Sequence, residues 1–142
     1  MQIDSIDSGI VIDHIRAGFG LKVVDYLNID TDNQTVAVIM NAASKKLGRK
    51  DIVKLENVTD LDIDVKALGL IAPGATVSVI QNHHKISKTQ HTLPERVKNI
   101  VKCKNPRCVT SIEAVPHIFH KVNDSGMYRC EYCDHILRPN EL

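Results

Sequence analysis

Four cysteines, Cys103, Cys108, Cys130 and Cys133, are the only ones in this 142-residue chain. They follow the pattern C-x4-C, twenty-one intervening residues, then C-x2-C. Two close pairs of thiols separated by a loop is the layout of a four-thiolate zinc site. Each pair can form a tight knuckle, and the segment between them brings the knuckles around one ion. Zn2+ suits such a site because it accepts tetrahedral sulfur ligands and has no redox chemistry. The segment has few large apolar residues, so it is expected to lack a core of its own and to draw most of its folding free energy from the metal. Two disulfides, or four unrelated free thiols, are the competing readings; the lack of a secretory signal and the fit of both spacings favour the metal. Catalysis at the metal is not expected, since it needs an open position that four thiolates close. The H-x-E and P-C-x-x-C elements of zinc deaminases are also absent, because Cys130 follows Arg129. The expectation is one structural zinc ion per chain.

Composition narrows the remainder. Hydrophobic residues make up 43% of the chain, enough for a packed core, whereas aromatics are 4% and Trp is absent. A base-stacking surface for single-stranded nucleic acid is therefore not expected. The formal net charge of +1 gives no global field to select DNA or a membrane. No apolar run approaches the roughly 20 residues that span a bilayer. A reducing, cytoplasmic setting is the simplest expectation.

In chain order, Gly9 to Ile15 reads as a β-branched strand ending in the polar pair Asp13 and His14. Leu21 to Leu27 reads as a helix with Leu21, Val24 and Leu27 on its inner face. Thr35 to Met40 is a second strand, and Asn41 to Gly48 a loop. Arg49 to Glu56 is a third strand, with Val53 and Leu55 on one face and Lys50, Ile52, Lys54 and Glu56 on the other. Leu61, Val65 and Leu68 mark a second helix, with Asp60, Asp62 and Asp64 near its N-terminus. Pro73-Gly74 ends it. Ala75 to Gln81 is a fourth strand, and a turn at Asn82 to His84 leads into a short fifth ending at Lys88. Thr89 to Thr92 reads as linker. Thr92-Leu93-Pro94-Glu95 matches a helix capping box, predicting a short helix through Ile100. Strands are expected over Ile112 to Val115 and His117 to Val122, then a turn at Asn123 to Gly126.

This order predicts an α+β chain: a ferredoxin-like βαββαβ sandwich over residues 1–91, then a small β domain of the zinc-ribbon or rubredoxin-like kind over 92–142. No G-x-S-x-G, Walker A or dinucleotide fingerprint is present. What remains on the first domain is a polar set, Asp13, His14, Lys50, Lys54 and Lys88. Acidic and basic residues balance there, so composition implies a neutral domain with an anion patch and no more.

The motifs Val11-Ile12-Asp13-His14-Ile15, Gly48-Arg49-Lys50-Asp51, Lys54-Leu55-Glu56-Asn57, Ala72-Pro73 and Ala75-Thr76-Val77 go further. With Lys88, Leu93-Pro94-Glu95-Arg96 and the four cysteines, they make nearly the whole chain resemble the aspartate carbamoyltransferase regulatory-chain family of pyrimidine biosynthesis. That resemblance implies a non-catalytic chain with a nucleotide-binding domain and a zinc domain. It implies ATP, CTP or UTP as effectors, catalytic trimers as partners and a homodimer of regulatory chains. By position, the effector site would use Asp13, His14, Lys50, Lys54 and Lys88, with Ile3, Asp4, Ile6, Val11 and Ile80 lining base and ribose. Ser78 and His83 stand near the expected base pocket, where the family commonly has Asn and Tyr. The ferredoxin-like order also permits an RNA-recognition domain, but Arg49 to Glu56 offers no stacking aromatic. An amino-acid sensor is disfavoured by the lysines, which suit a polyphosphate better than one carboxylate. Neither nucleic acid nor membrane is an expected partner.

Overall fold

The computed structural model describes residues 7–58 and 65–141. Ile3, Asp4 and Ile6, and the expected helix start at Asp60, Leu61, Asp62 and Asp64, lie outside the described residues. The chain divides into two compact units between Thr92 and Leu93.

The first unit runs β1 (Gly9–Arg16), α1 (Gly20–Tyr26), β2 (Val36–Ser44), β3 (Gly48–Glu56), α2 (Val65–Ile71), β4 (Thr76–Gln81) and β5 (His84–Gln90). Its antiparallel sheet has the order β2-β3-β1-β4-β5, which is the βαββαβ plan with one strand added at an edge. Alternation decides the faces. Ile10 and Ile12 of β1 stand opposite Leu55 and Val53 of β3, and Ile12 stands opposite Val77 of β4. These five side chains are buried. They meet Val23 and Leu27 of the first helical segment and Ala67, Leu68, Leu70 and Ile71 of α2, all buried as well. Helix α2 stops before Pro73-Gly74, where Gly74 takes φ 85°, a left-handed conformation that suits glycine.

Three local expectations are corrected. The inner face of α1 is Gly20, Val23 and Leu27, not Leu21, Val24 and Leu27; Leu21 is 59% exposed. Both sets fit a helical period, and docking on the sheet selects between them. Asn41 to Ser44 is not loop but continues β2 beyond a bulge at which Asn41 takes φ 61°. The supposed linker residues Thr89 and Gln90 complete β5, pairing with Val77 and Thr76.

The second unit is a four-stranded antiparallel sheet, β6 (Arg96–Lys98), β7 (Ile118–Lys121), β8 (Tyr128–Cys130) and β9 (Ile136–Leu137), in that order. Val97, Ile118, Phe119, Tyr128 and Leu137 are buried, so the module does have a small apolar core, contrary to the expectation. The capping box starts no helix. Glu95 turns instead to Lys121, 2.8 Å away, the Tyr128 hydroxyl donates to the Pro94 carbonyl at 2.7 Å, and Val97 is drawn into the core on β6. Tertiary pairing overrides a local signal worth about 1 kcal/mol. Ile112 to Val115 is not a strand either: Val109–Ser111 is a 3-10 turn, and Ile112 is 78% exposed.

Candidate metal centre and anion pocket

The four cysteine sulfurs converge within 4.8 Å of one another. Cys103 Sγ lies 3.6 Å from Cys133 Sγ, and Cys108 Sγ lies 3.7 Å from Cys130 Sγ. Both distances far exceed a disulfide bond of about 2.05 Å. They match the edge of about 3.8 Å expected of a sulfur tetrahedron with ligands about 2.3 Å from a central ion. Each close pair joins one knuckle to the other. The first knuckle is closed by the Cys108 N–H on the Asn105 carbonyl, the second by the Asp134 N–H on the Cys130 carbonyl, both at 3.0 Å. Strand β8 delivers Cys130 to the cluster, and the Cys103 N–H donates to His117 Nδ1 at 3.1 Å. Burial pushes the Cys103 thiol up to about 12 and raises Cys130 as well. Thr110, through its hydroxyl and its N–H, brings Cys108 down to about 7, although that hydroxyl completes no hydrogen bond of regular geometry. Four convergent thiols, with no other ligand type in the cluster among the described residues, fit a thiophilic tetrahedral ion.

A pocket of about 200 Å3 lies on the sheet face turned away from the helices, lined by Val11, Asp13, His14, Lys54, Thr76, Ser78, Ile80, Lys85 and Lys88. Register explains the company. Val11 stands opposite Lys54 on β3 and Ser78 on β4, and Ser78 stands opposite Lys88 on β5. These four residues form one row across the sheet.

Successive residues of a strand normally face opposite ways, so Asp13 and His14 would not share a pocket in a regular strand. Alternation from Val11 already puts Asp13 on the open face; a bulge between Ile12 and Ile15, with His14 at φ 57°, adds His14 to it and returns Ile15 to the core. His14 Nδ1 is hydrogen-bonded to Thr76 Oγ1 at 3.0 Å. The Lys50 ammonium grips both oxygens of Asp13, at 3.0 and 3.3 Å. Burial works to raise the Asp13 carboxyl, but the Lys50 hydrogen bond, the His14 N–H and the nearby positive charge hold it below its ordinary value. Asp13 therefore presents a fixed, ionised acceptor.

Of the residues singled out from sequence, Val11, Asp13, His14, Lys54, Ser78, Ile80 and Lys88 meet in this pocket. Lys50 stands behind it, spent on Asp13. His83 stands apart at the tip of the β4–β5 hairpin, where Asn82 and His83 take φ 51° and 66° and His83 pairs with Asp7 at 3.0 Å. Thr76 and Lys85 are the pocket residues that sequence reasoning missed. A Thr two positions before Ser78 on one strand face was the available clue to the first; Lys85 had none, because strict alternation assigns it to the face opposite Lys88.

Residues 1–92 match the family described as aspartate carbamoyltransferase regulatory chain, allosteric domain, and residues 95–142 match its metal binding domain. An aspartate carbamoyltransferase regulatory chain of Clostridium botulinum (strain Hall) is 50% identical over 144 residues, covering 100% of this chain and 97% of the relative. That of Clostridium acetobutylicum is 50% identical over 140 residues, with 97% and 94% covered. That of Bifidobacterium longum is 46% identical over 136 residues, with 94% and 96% covered. No described helix is long and apolar enough to cross a membrane.

Proposed function

The chain belongs to the family of aspartate carbamoyltransferase regulatory chains, and from that premise we propose that it is a nucleotide-responsive adaptor of the catalytic chains. The observation that carries the reading is the pocket itself: Lys54, Lys85, Lys88 and His14 around an apolar patch of Val11 and Ile80, with an ionised Asp13. Cations suit a polyphosphate, the apolar patch suits a base, and a fixed carboxylate suits a ribose hydroxyl. In this reading Lys88 and His14 meet phosphate oxygens, Asp13 accepts from ribose, and Lys54 reaches ribose or base. Val11 and Ile80, with Ile3, Asp4 and Ile6, line the base and ribose, and Ser78, inside the pocket, bears on base selectivity, whereas His83 stands outside it. Lys50 acts through Asp13. ATP, CTP and UTP are the effectors.

Cys103, Cys108, Cys130 and Cys133 hold one zinc ion, which cross-links the two knuckles and takes no part in chemistry. The module they brace docks on catalytic trimers. In its support, Ile112 just beyond the first knuckle and Tyr132 inside the second are 78% and 40% exposed. The regulatory chains pair as homodimers, and the pathway served is pyrimidine biosynthesis.

Calorimetric titration of the chain tests the pocket. Lys88→Ala is expected to weaken triphosphate binding about 10- to 150-fold, the loss of one charge-assisted hydrogen bond of roughly 1.5–3 kcal/mol. Adenosine should bind far more weakly than ATP, and equal affinities refute the anion site. The aspartate saturation curve of the reconstituted complex tests regulation. Effectors should shift it by about 5- to 150-fold in affinity, and aspartate must shift nucleotide affinity by the same factor. A complex whose curve ignores all three nucleotides rules the reading out.

A further inference from the structure

Lys85 lines the pocket although strict alternation along β5 assigns it to the opposite face from Lys88, three residues away. The register shows how this happens. Val79 stands opposite Ser87, but the next residue of β4, Ile80, stands opposite Lys85. Ile86 is the extra residue of a bulge, 59% exposed, and it turns Lys85 back onto the face that carries Lys88. Lys88 is set beside Ser78 and Lys85 beside Ile80.

The pocket therefore has two unlike ends. Asp13, His14 and Thr76 form the polar end, with Asp13 opposite Thr76. Ile80 forms the apolar end, about 13 Å further along β4 at roughly 3.3 Å per residue. On the effector reading above, the apolar end receives the base. Lys85 is the cation set there.

We propose that Lys85 is a specificity-determining residue that reads the edge of the effector's base and favours bases presenting carbonyl acceptors over adenine. An ammonium donates and cannot accept. Uracil, cytosine and guanine each carry at least one carbonyl oxygen for it, O2 in the pyrimidines and O6 in guanine, whereas adenine carries none and offers only ring nitrogens beside its amino donor. This inference rests on the effector reading and adds the base class to it. Lys85 is exposed, so the effect is modest, about threefold to tenfold in the ratio of affinities.

The test compares the wild-type chain with Lys85→Met and Lys85→Arg, each titrated with ATP, CTP, UTP and GTP. Met keeps the length of the side chain and removes the donor. Lys85→Met should lose about threefold to tenfold in affinity for CTP, UTP and GTP and less than twofold for ATP, while Lys85→Arg keeps the wild-type preference. An equal loss for all four triphosphates overturns the inference and assigns Lys85 to phosphate. No change for any of them overturns it too. A wild-type chain that binds none of the four overturns the effector reading itself, and is seen before any variant is made.

Discussion

Replacing any one of Cys103, Cys108, Cys130 and Cys133 with Ser, or treating the protein with a chelator, is expected to unfold the second domain and leave the first folded. The two units have separate cores, so the loss stays local. The second unit spans only Leu93–Leu142, a size at which an apolar core alone is marginal. A bound structural zinc adds about 10–16 kcal/mol at neutral pH in comparable small modules. Cys130 is a fully buried residue of β8 opposite Phe119, so its replacement would remove an expected ligand and place a hydroxyl against the module's core. Amide hydrogen exchange reads the outcome: protection in β7 and β8 should vanish in Cys130→Ser while β1 and β3 stay protected. Retained protection in β7 and β8 would show that the apolar core suffices. Elemental analysis should find one zinc per chain in protein purified without chelator, and none would falsify the assignment. The pH dependence has a definite sign. The raised Cys103 and Cys130 thiols must lose their protons to become ligands, so affinity falls as pH is lowered, about tenfold per pH unit for each proton displaced.

The second large effect belongs to Asp51, a residue no sequence pattern marked for a structural role. It is fully buried on β3, and its carboxylate accepts three backbone N–H groups: Gly18 at 3.0 Å, Gly20 at 2.8 Å and Asn41 at 2.8 Å. One side chain thus anchors the turn before α1 and the bulge of β2. A Cβ on Gly20 would stand 3.0 Å from the same carboxylate, so the turn closes tightly over it. Asp51→Ala leaves these donors without their acceptor at about 1–3 kcal/mol each, and is expected to destabilise the first domain by about 4 kcal/mol after relaxation. Asp51→Asn keeps one acceptor oxygen and should cost about half as much. Urea unfolding followed by hydrogen exchange in β1 and β3 measures this. A cost below about 1 kcal/mol for Asp51→Ala would mean that water or local rearrangement satisfies the three amides.

The pattern of residues by itself determined the features that depend on periodicity and on side-chain chemistry. The strands of the first domain, the buried Val53 and Leu55 against the outward Lys50 and Lys54, and the grouping of the four cysteines all follow from it. A period of two leaves little choice once one face must be apolar, and four thiols at knuckle spacing have few other uses. The family was legible as well, because its motifs run in order along nearly the full chain. Tertiary structure decided what alternation cannot encode. A bulge at Asp13–His14 brings His14, and one at Ile86 brings Lys85, onto the pocket face that alternation already gives Val11 and Asp13, because register against neighbouring strands, not local preference, places the extra residue. Docking on the sheet chose Val23 over Leu21 as the inner side of α1. Pairing with β7 made a strand of Arg96–Lys98, where the local capping signal pointed to a helix. Lys50 became the partner of Asp13 for the same reason: a salt bridge across thirty-seven positions of sequence exists only when two strands bring its ends together.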